Sequence, residues 1–262
     1  MQADMLGYSS LENIDIPIIP FSALLVYWTV LPGTFKARWQ MRQSQRDLGR
    51  FLEATPAYCH TIRKEIQHWG DAPRLLVGWR ETLKPLIAHA CQMLRFATAG
   101  LARPSTQLRQ ELSALVGEAD AARIMSNLSG SSGSLASLDP LLGLAEIVKG
   151  RLSREDYLER YGHRGPHEME LSIPGADDDP AWFDKQLAEF TRAPVDVDAI
   201  LANQRAEQAA AWTGFANRFP EKAASIGRRL ETIAAVAKTR EAVRSEVTRL
   251  ARLLRVFLLQ AG

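Results

Sequence analysis

Apolar residues recur along this chain at three- and four-residue spacing, and no stretch alternates apolar and polar positions for more than a few residues. That period predicts helix almost throughout and no sheet. The pattern places a first apolar helix over Phe21–Val30, broken by Leu31–Gly33, and an amphipathic helix over Thr34–Ala54. Pro56 fits a helix start, where a missing N–H costs little, with a helix following over Ala57–Trp69. Gly70–Pro73 reads as a turn with Asp71 as a cap. A long helix spans Arg74–Ala102, kinked at Pro85, because proline removes one ladder hydrogen bond. Shorter helices follow over Ser105–Val116, Ala119–Met125 and Pro140–Lys149, the last stopped by Gly150.

Ser126–Ser137, "SNLSGSSGSLAS", is the most linker-like stretch. It divides an N-terminal helical part (1–125) from a C-terminal one (138–262), with 126–137 as the connecting loop of one combined domain. In "SREDYLERYG", Ser153 caps a helix that Gly162 ends. After a crowded loop come Ala181–Phe190, Ile200–Arg218 and the long Glu221–Gln260. That last helix carries two apolar stripes slightly out of phase. One is Ile226, Leu230, Ile233 and Ala237; the other is Val243, Val247, Leu250, Leu254 and Phe257. Its arginines (Arg228, Arg229, Arg240, Arg244, Arg249, Arg252, Arg255) suit either a solvated face or a basic groove for phosphates. The expected fold is all-α: an irregular multi-helix domain with one Gly/Pro-rich functional loop and a long C-terminal helix.

Composition narrows the class. The 262 residues are 46% hydrophobic and 24% charged, which suits a globular protein with a real core. A formal net charge of +2 is too small to argue for nucleic acid or an anionic membrane as partner. Cys59 and Cys91 have no metal-ligand spacing and suit a reducing, cytoplasmic compartment. The most apolar window, Ile16–Gly33, is interrupted by Pro17, Pro20 and Pro32 and falls short of the roughly 20 residues a membrane span needs. It reads as a core helix, and an interfacial membrane segment is the alternative.

The candidate chemistry sits in "YLERYGHRGPHEMELSIPGADDDPAW", Tyr157–Trp182. No phosphate-loop lysine motif, dinucleotide fingerprint, serine elbow or zinc-protease motif is present. His163 and His167 are four apart, a metal-ligand spacing on a helix, but Gly165 and Pro166 lie between them and oppose a helix there, so no metal site is expected. His60, His68 and His89 are isolated on helices. Gly162 and Gly165 permit positive φ or close backbone approach, and Pro166 stiffens the residues after it. Such a backbone can present Tyr161, His163, Arg164, Glu168 and Glu170 as a binding surface. Arg164 then grips a ligand carboxylate or phosphate in a fork, or pairs with Glu168 or Glu170 and holds the loop together. Trp28, Trp39, Trp69, Trp79 and Phe96 either line a pocket for a bulky ligand or form a plain aromatic core.

This loop resembles the "YGHRG–GE–DLS–PRW–EDP" element of phosphoenolpyruvate-synthase-like phosphotransferases, most closely the branch that includes rifampicin phosphotransferase. Tyr161, Gly162, His163, Arg164, Gly165, Glu168, Leu171, Ser172, Pro174, Asp179 and Pro180 match the pattern, and "TREAVRSEVTRLARLLRVFLL" is similar to the helix that follows it. The resemblance implies a central helical domain that holds the phosphoryl acceptor, a small molecule. In the full-length family, ATP and magnesium act at an ATP-grasp domain and a phosphohistidine domain carries the phosphate. This chain has neither ATP-grasp half nor Thr-x-Ser-His motif, so it is expected to bind no cofactor itself and to need those domains as partners in cis or in trans. It departs from the family at His167 (usually glycine), Glu170 (usually aspartate) and Gly175–Ala176 (usually arginine–tryptophan). The alternative reading is a non-catalytic helical interaction protein or a decayed remnant of such an enzyme.

Overall fold

A computed structural model describes residues 46–126, 135–165, 168, 170–176 and 178–262. The expected helix over Phe21–Val30, the apolar window, Trp28 and Trp39 lie outside the described residues, and residues 46–262 make one compact unit. Every regular element among the described residues is helical, as the spacing predicts, so the fold is all-α. No helix among them is long and apolar enough to cross a membrane.

The first described helix, α1 (46–66), runs straight through Pro56, where the sequence suggested a start. The proline forfeits one backbone bond. The apolar face on either side of it (Leu48, Phe51, Cys59, Ile62 and Ile66) is continuous and buried, so packing carries the helix across the defect. After a turn, α2 (Ala72–Gly78) opens with the Asp71 carboxylate accepting from Arg74 N at 2.8 Å. The kink expected at Pro85 is a π-helical turn, Trp79–Leu83. The Lys84 N–H reaches back to the Trp79 carbonyl, which accommodates the next residue's missing donor. Then come α3 (Lys84–Ala99), α4 (Ala102–Val116) and α5 (Glu118–Ile124).

Of the linker-like stretch, 127–134 lie outside the described residues, and 135–137 open α6 (Leu135–Val148), which contains Pro140. Then follow α7 (Arg154–Tyr161), α8 (Pro180–Arg192), α9 (Val197–Arg218) and α10 (Pro220–Ala261). At 42 residues, α10 spans about 63 Å.

Three apolar clusters organise this unit, and α10 serves two of them. Its C-terminal stripe, Val243, Val247, Leu250 and Leu253, packs with α1 and α3. Leu253 is the buried member there, one position before the expected Leu254. Trp79 stacks on Phe257 and Trp69 meets it edge-on, so these tryptophans belong to the core. The N-terminal stripe, with Ile226 and Ile233, packs with Leu108, Leu112, Ile124 and Phe215 of α4, α5 and α9. The third cluster joins α6, α7 and α8 around Tyr157 and Phe183. Gly143 of α6 is required there, because a Cβ would stand 2.8 Å from the Tyr157 ring. That close approach seats α7, and with it the start of the crowded loop.

Candidate functional site

The loop begins where α7 ends. Ser153 caps α7 by accepting from Asp156 N at 3.0 Å, and the Gly162 N–H closes it on the Leu158 carbonyl. Gly162 has an ordinary helical φ of −57°, and positive φ among the described glycines occurs only at Gly117 and Gly150. Neither Gly162 nor Gly165 therefore serves the positive-φ role the sequence suggested, and a Cβ at Gly165 would meet only the Trp182 ring, at an ordinary 3.8 Å. Pro166 and His167 lie outside the described residues.

Beyond Gly162 the chain turns against α10, and that helix presents arginines and a serine along one side. His163 Nε2 and Ser245 Oγ share a 2.8 Å hydrogen bond. Arg249 donates to the Glu159 carbonyl at 2.9 Å and to Glu246 at 2.9 Å. Arg252 donates to the Ile173 carbonyl at 3.1 Å, and Arg255 donates to the Leu171 carbonyl. Arg244 meets Glu168 at 2.9 Å. The hub is Asp178. Its carboxylate contacts Arg252, Arg255 at 3.1 Å and, from α1, Arg63 at 2.6 Å. One acid thus binds the loop to two helices far apart in sequence.

Placing the five candidate residues against this frame separates their roles. Arg164, 8% exposed, faces Glu168 Oε1 at 2.8 Å as a charge contact rather than an aligned hydrogen bond. Of the two roles open to Arg164, this is the one that holds the loop together. Glu168 is shared between Arg164 and Arg244. Glu170 is exposed and accepts from the Ser172 N–H and hydroxyl, a local turn contact. Tyr161 packs on Tyr157 in the third cluster. Only His163 of the five also lines a cleft of about 750 Å³ between α1, the end of α7 and α10. A second, small hollow of about 30 Å³ lies among His163, Arg164, Glu168, Trp182 and Arg252.

His163 is 4% exposed, and its titration is pushed down to about 2. Burial strips the imidazolium of water, and Arg249 and Arg164 add repulsion. The ring is therefore neutral at every physiological pH. It acts as a hydrogen-bonding group, and its Nδ1 has no hydrogen-bond partner among the described residues. The Cys59 thiol, also in the cleft wall, is pushed up to about 12, chiefly by burial, and so stays protonated and unreactive. No group of three or more potential metal ligands occurs among the described residues.

Gly175 and Ala176 form a tight turn. The Asp178 and Asp179 N–H groups both donate to the Gly175 carbonyl at 3.1 Å, and Ala176 is buried in the third cluster. Asp179, three positions after Ala176, caps α8. Sequence reasoning missed Asp178, Arg63 and Ser245, and it named Arg249, Arg252 and Arg255 only as a solvated face or a phosphate groove, not as partners of the loop. The signal for a shared role of the three arginines was present: 249, 252 and 255 recur every three residues and so share one side of a helix. Nothing local pointed to Arg63, 115 residues from Asp178 in the chain. Comparison with protein-family models, with curated proteins and with solved structures finds no match.

Proposed function

We propose that this chain is the acceptor-holding helical module of an ATP-dependent phosphotransferase of the phosphoenolpyruvate-synthase-like kind, with the cleft between α1, α7 and α10 as the acceptor site. One observation carries the reading. The loop that bears the resemblance is clamped to the helix that the resemblance also pairs with it, and a cleft of small-molecule size opens beside that rigid corner. In this reading the buried ion pairs stiffen the corner, and His163 supplies a fixed, neutral hydrogen-bonding edge at the cleft wall. The chain positions the acceptor, while nucleotide chemistry and phosphate carriage belong to an ATP-grasp partner and a phosphohistidine partner, with ATP and magnesium at the former.

The test is reconstitution. ATP-grasp and phosphohistidine modules of a phosphoenolpyruvate-synthase-like enzyme are purified and incubated with the chain, ATP labelled in its phosphates and candidate small molecules. Label passes to the acceptor only when this chain is present, and Leu158→Trp, which fills the cleft, abolishes the transfer. Transfer that proceeds equally well without the chain, or unchanged with Leu158→Trp, overturns the reading.

A second reading, a non-catalytic helical interaction protein, draws on the exposed Leu76, Leu258 and Leu259, at 64%, 54% and 65% accessibility. Concentration-dependent self-association that Leu76→Glu and Leu259→Glu abolish would favour it.

A further inference from the structure

Two buried polar atoms of the loop make no hydrogen bond among the described residues, His163 Nδ1 and Arg164 Nε, and both residues belong to the wall of the small hollow. What each atom offers follows from counting protons. The neutral His163 ring carries one N–H and one lone pair. Ser245 Oγ has a single hydrogen-bond partner among the described residues, His163 Nε2 at 2.8 Å. A hydroxyl that accepted from Nε2 would leave two groups unpaired, its own proton and the Nδ1 lone pair. A hydroxyl that donates to Nε2 leaves only an Nδ1–H, which is the cheaper arrangement. Nδ1 is then a donor. Arg164 Nε–H is a donor too, and it is not aligned on Glu168 Oε1 despite the 2.8 Å approach. The hollow also has an acceptor in its wall, the Glu168 carboxylate, while Arg252 there is engaged with Asp178.

Two donors and an acceptor around so small a space select their ligand. It must accept twice and donate at least once. An anion would face the charge of Glu168, a cation would face that of Arg164, and a carbonyl oxygen has nothing to donate. The hollow measures about 30 Å³. A water needs roughly 10–15 Å³, and sites for organic ligands begin at roughly 300 Å³. We infer that the hollow is the seat of one ordered water, which accepts from His163 Nδ1–H and Arg164 Nε–H and donates to Glu168. The inference is independent of what the larger cleft binds. Glu168 is also held by Arg244 of α10, and His163 by Ser245 of α10, so this water closes a polar circuit between the loop and that helix.

The test uses the whole chain with its histidines labelled in the ring nitrogens. Long-range proton–nitrogen NMR spectra should find the His163 proton on Nδ1 and a bare Nε2. That ring proton should show a cross-relaxation peak with water, told from exchange by its sign in the rotating frame. A crystal structure should show one oxygen within hydrogen-bonding distance of Nδ1, Arg164 Nε and Glu168. Ser245→Ala should release the ring, so that the Nε2–H form appears. Gly165→Ala adds a Cβ that meets only the Trp182 ring, at 3.8 Å, on the wall of the hollow; it should abolish the water peak and leave the proton on Nδ1. A native ring protonated on Nε2 overturns the inference, as does an Nδ1–H with no water peak, a direct protein partner for Nδ1, or an ion in the hollow. A water peak that survives Gly165→Ala overturns the assignment to the hollow. If either variant fails to fold, the native spectra and the crystal structure decide the matter.

Discussion

From Pro220 to Lys238, α10 turns Ile226, Leu230 and Ile233 into an apolar cluster shared with α4, α5 and α9; from Arg240 to Arg255 the same helix turns arginines and Ser245 toward a loop. The first half is held by contacts without direction. Any side chain of similar size and polarity fills that space, and neighbours shift slightly to suit. The second half also packs an apolar stripe on α1 and α3, but on its loop side it is held by contacts that demand geometry. Asp178 must reach three guanidiniums, and the carbonyls of Ile173 and Leu171 must point at Arg252 and Arg255. The contrast teaches that a buried charge network is a costly way to gain stability but a strict way to choose one loop conformation over its rivals.

The sharpest way to break the comparison is Asp178→Asn. It leaves three guanidiniums facing a neutral amide, and removing one partner of a buried pair typically costs about 3–5 kcal/mol. Urea unfolding should show a loss of that order, and protease should cut 165–179 first. A cost no larger than that of a trimmed core methyl would erase the distinction between the halves.

Next in size is a pH effect at His163. Its folded titration lies near 2, below the ordinary value of 6.5, so the unfolded chain binds the proton more readily. Its contribution is therefore fully present above pH 6.5 and is lost progressively as pH falls toward 2. Between pH 7 and pH 5 the loss amounts to about 2 kcal/mol. Denaturant titrations should show a stability slope over this range that is shallower by that amount in His163→Gln than in the native chain. Equal slopes would mean that the ring is solvated and not part of the clamp.

Ser245→Ala removes the partner of His163 Nε2 and leaves a buried polar atom unsatisfied, at a cost of about 1–3 kcal/mol. Its effect should shrink when combined with His163→Gln, a coupling that a double-mutant cycle measures directly. The smallest effect is expected in the other half: Ile233→Val removes one methylene from a fully apolar contact and should cost about 0.5–1.5 kcal/mol in urea unfolding, leaving the loop's protease resistance unchanged.

Much of the architecture follows from local chemistry. The three- to four-residue spacing determined that the described chain is helical, and the two stripes of α10 were legible as stripes, each of which packs in its own cluster. Asp71 and Ser153 were legible as caps because a short polar side chain before a helix has one obvious use. Pro85 was legible as a break because its missing donor is a local fact. Pro56 misled for the complementary reason: the force that carries α1 across it is burial against other helices, which no local window contains. Likewise the crowded loop marked its own position through Gly162, His163, Arg164 and Gly165. What its residues do was settled by α10 and α1, which bring Ser245, Arg249, Arg252, Arg255 and Arg63 within hydrogen-bonding distance. Helical period and capping are interactions within a few residues of chain, so the sequence determines them unaided. Which arginine meets which carboxylate across a hundred residues, and which side chain is left facing a cleft, depends on how helices stack, and only the tertiary structure decided that.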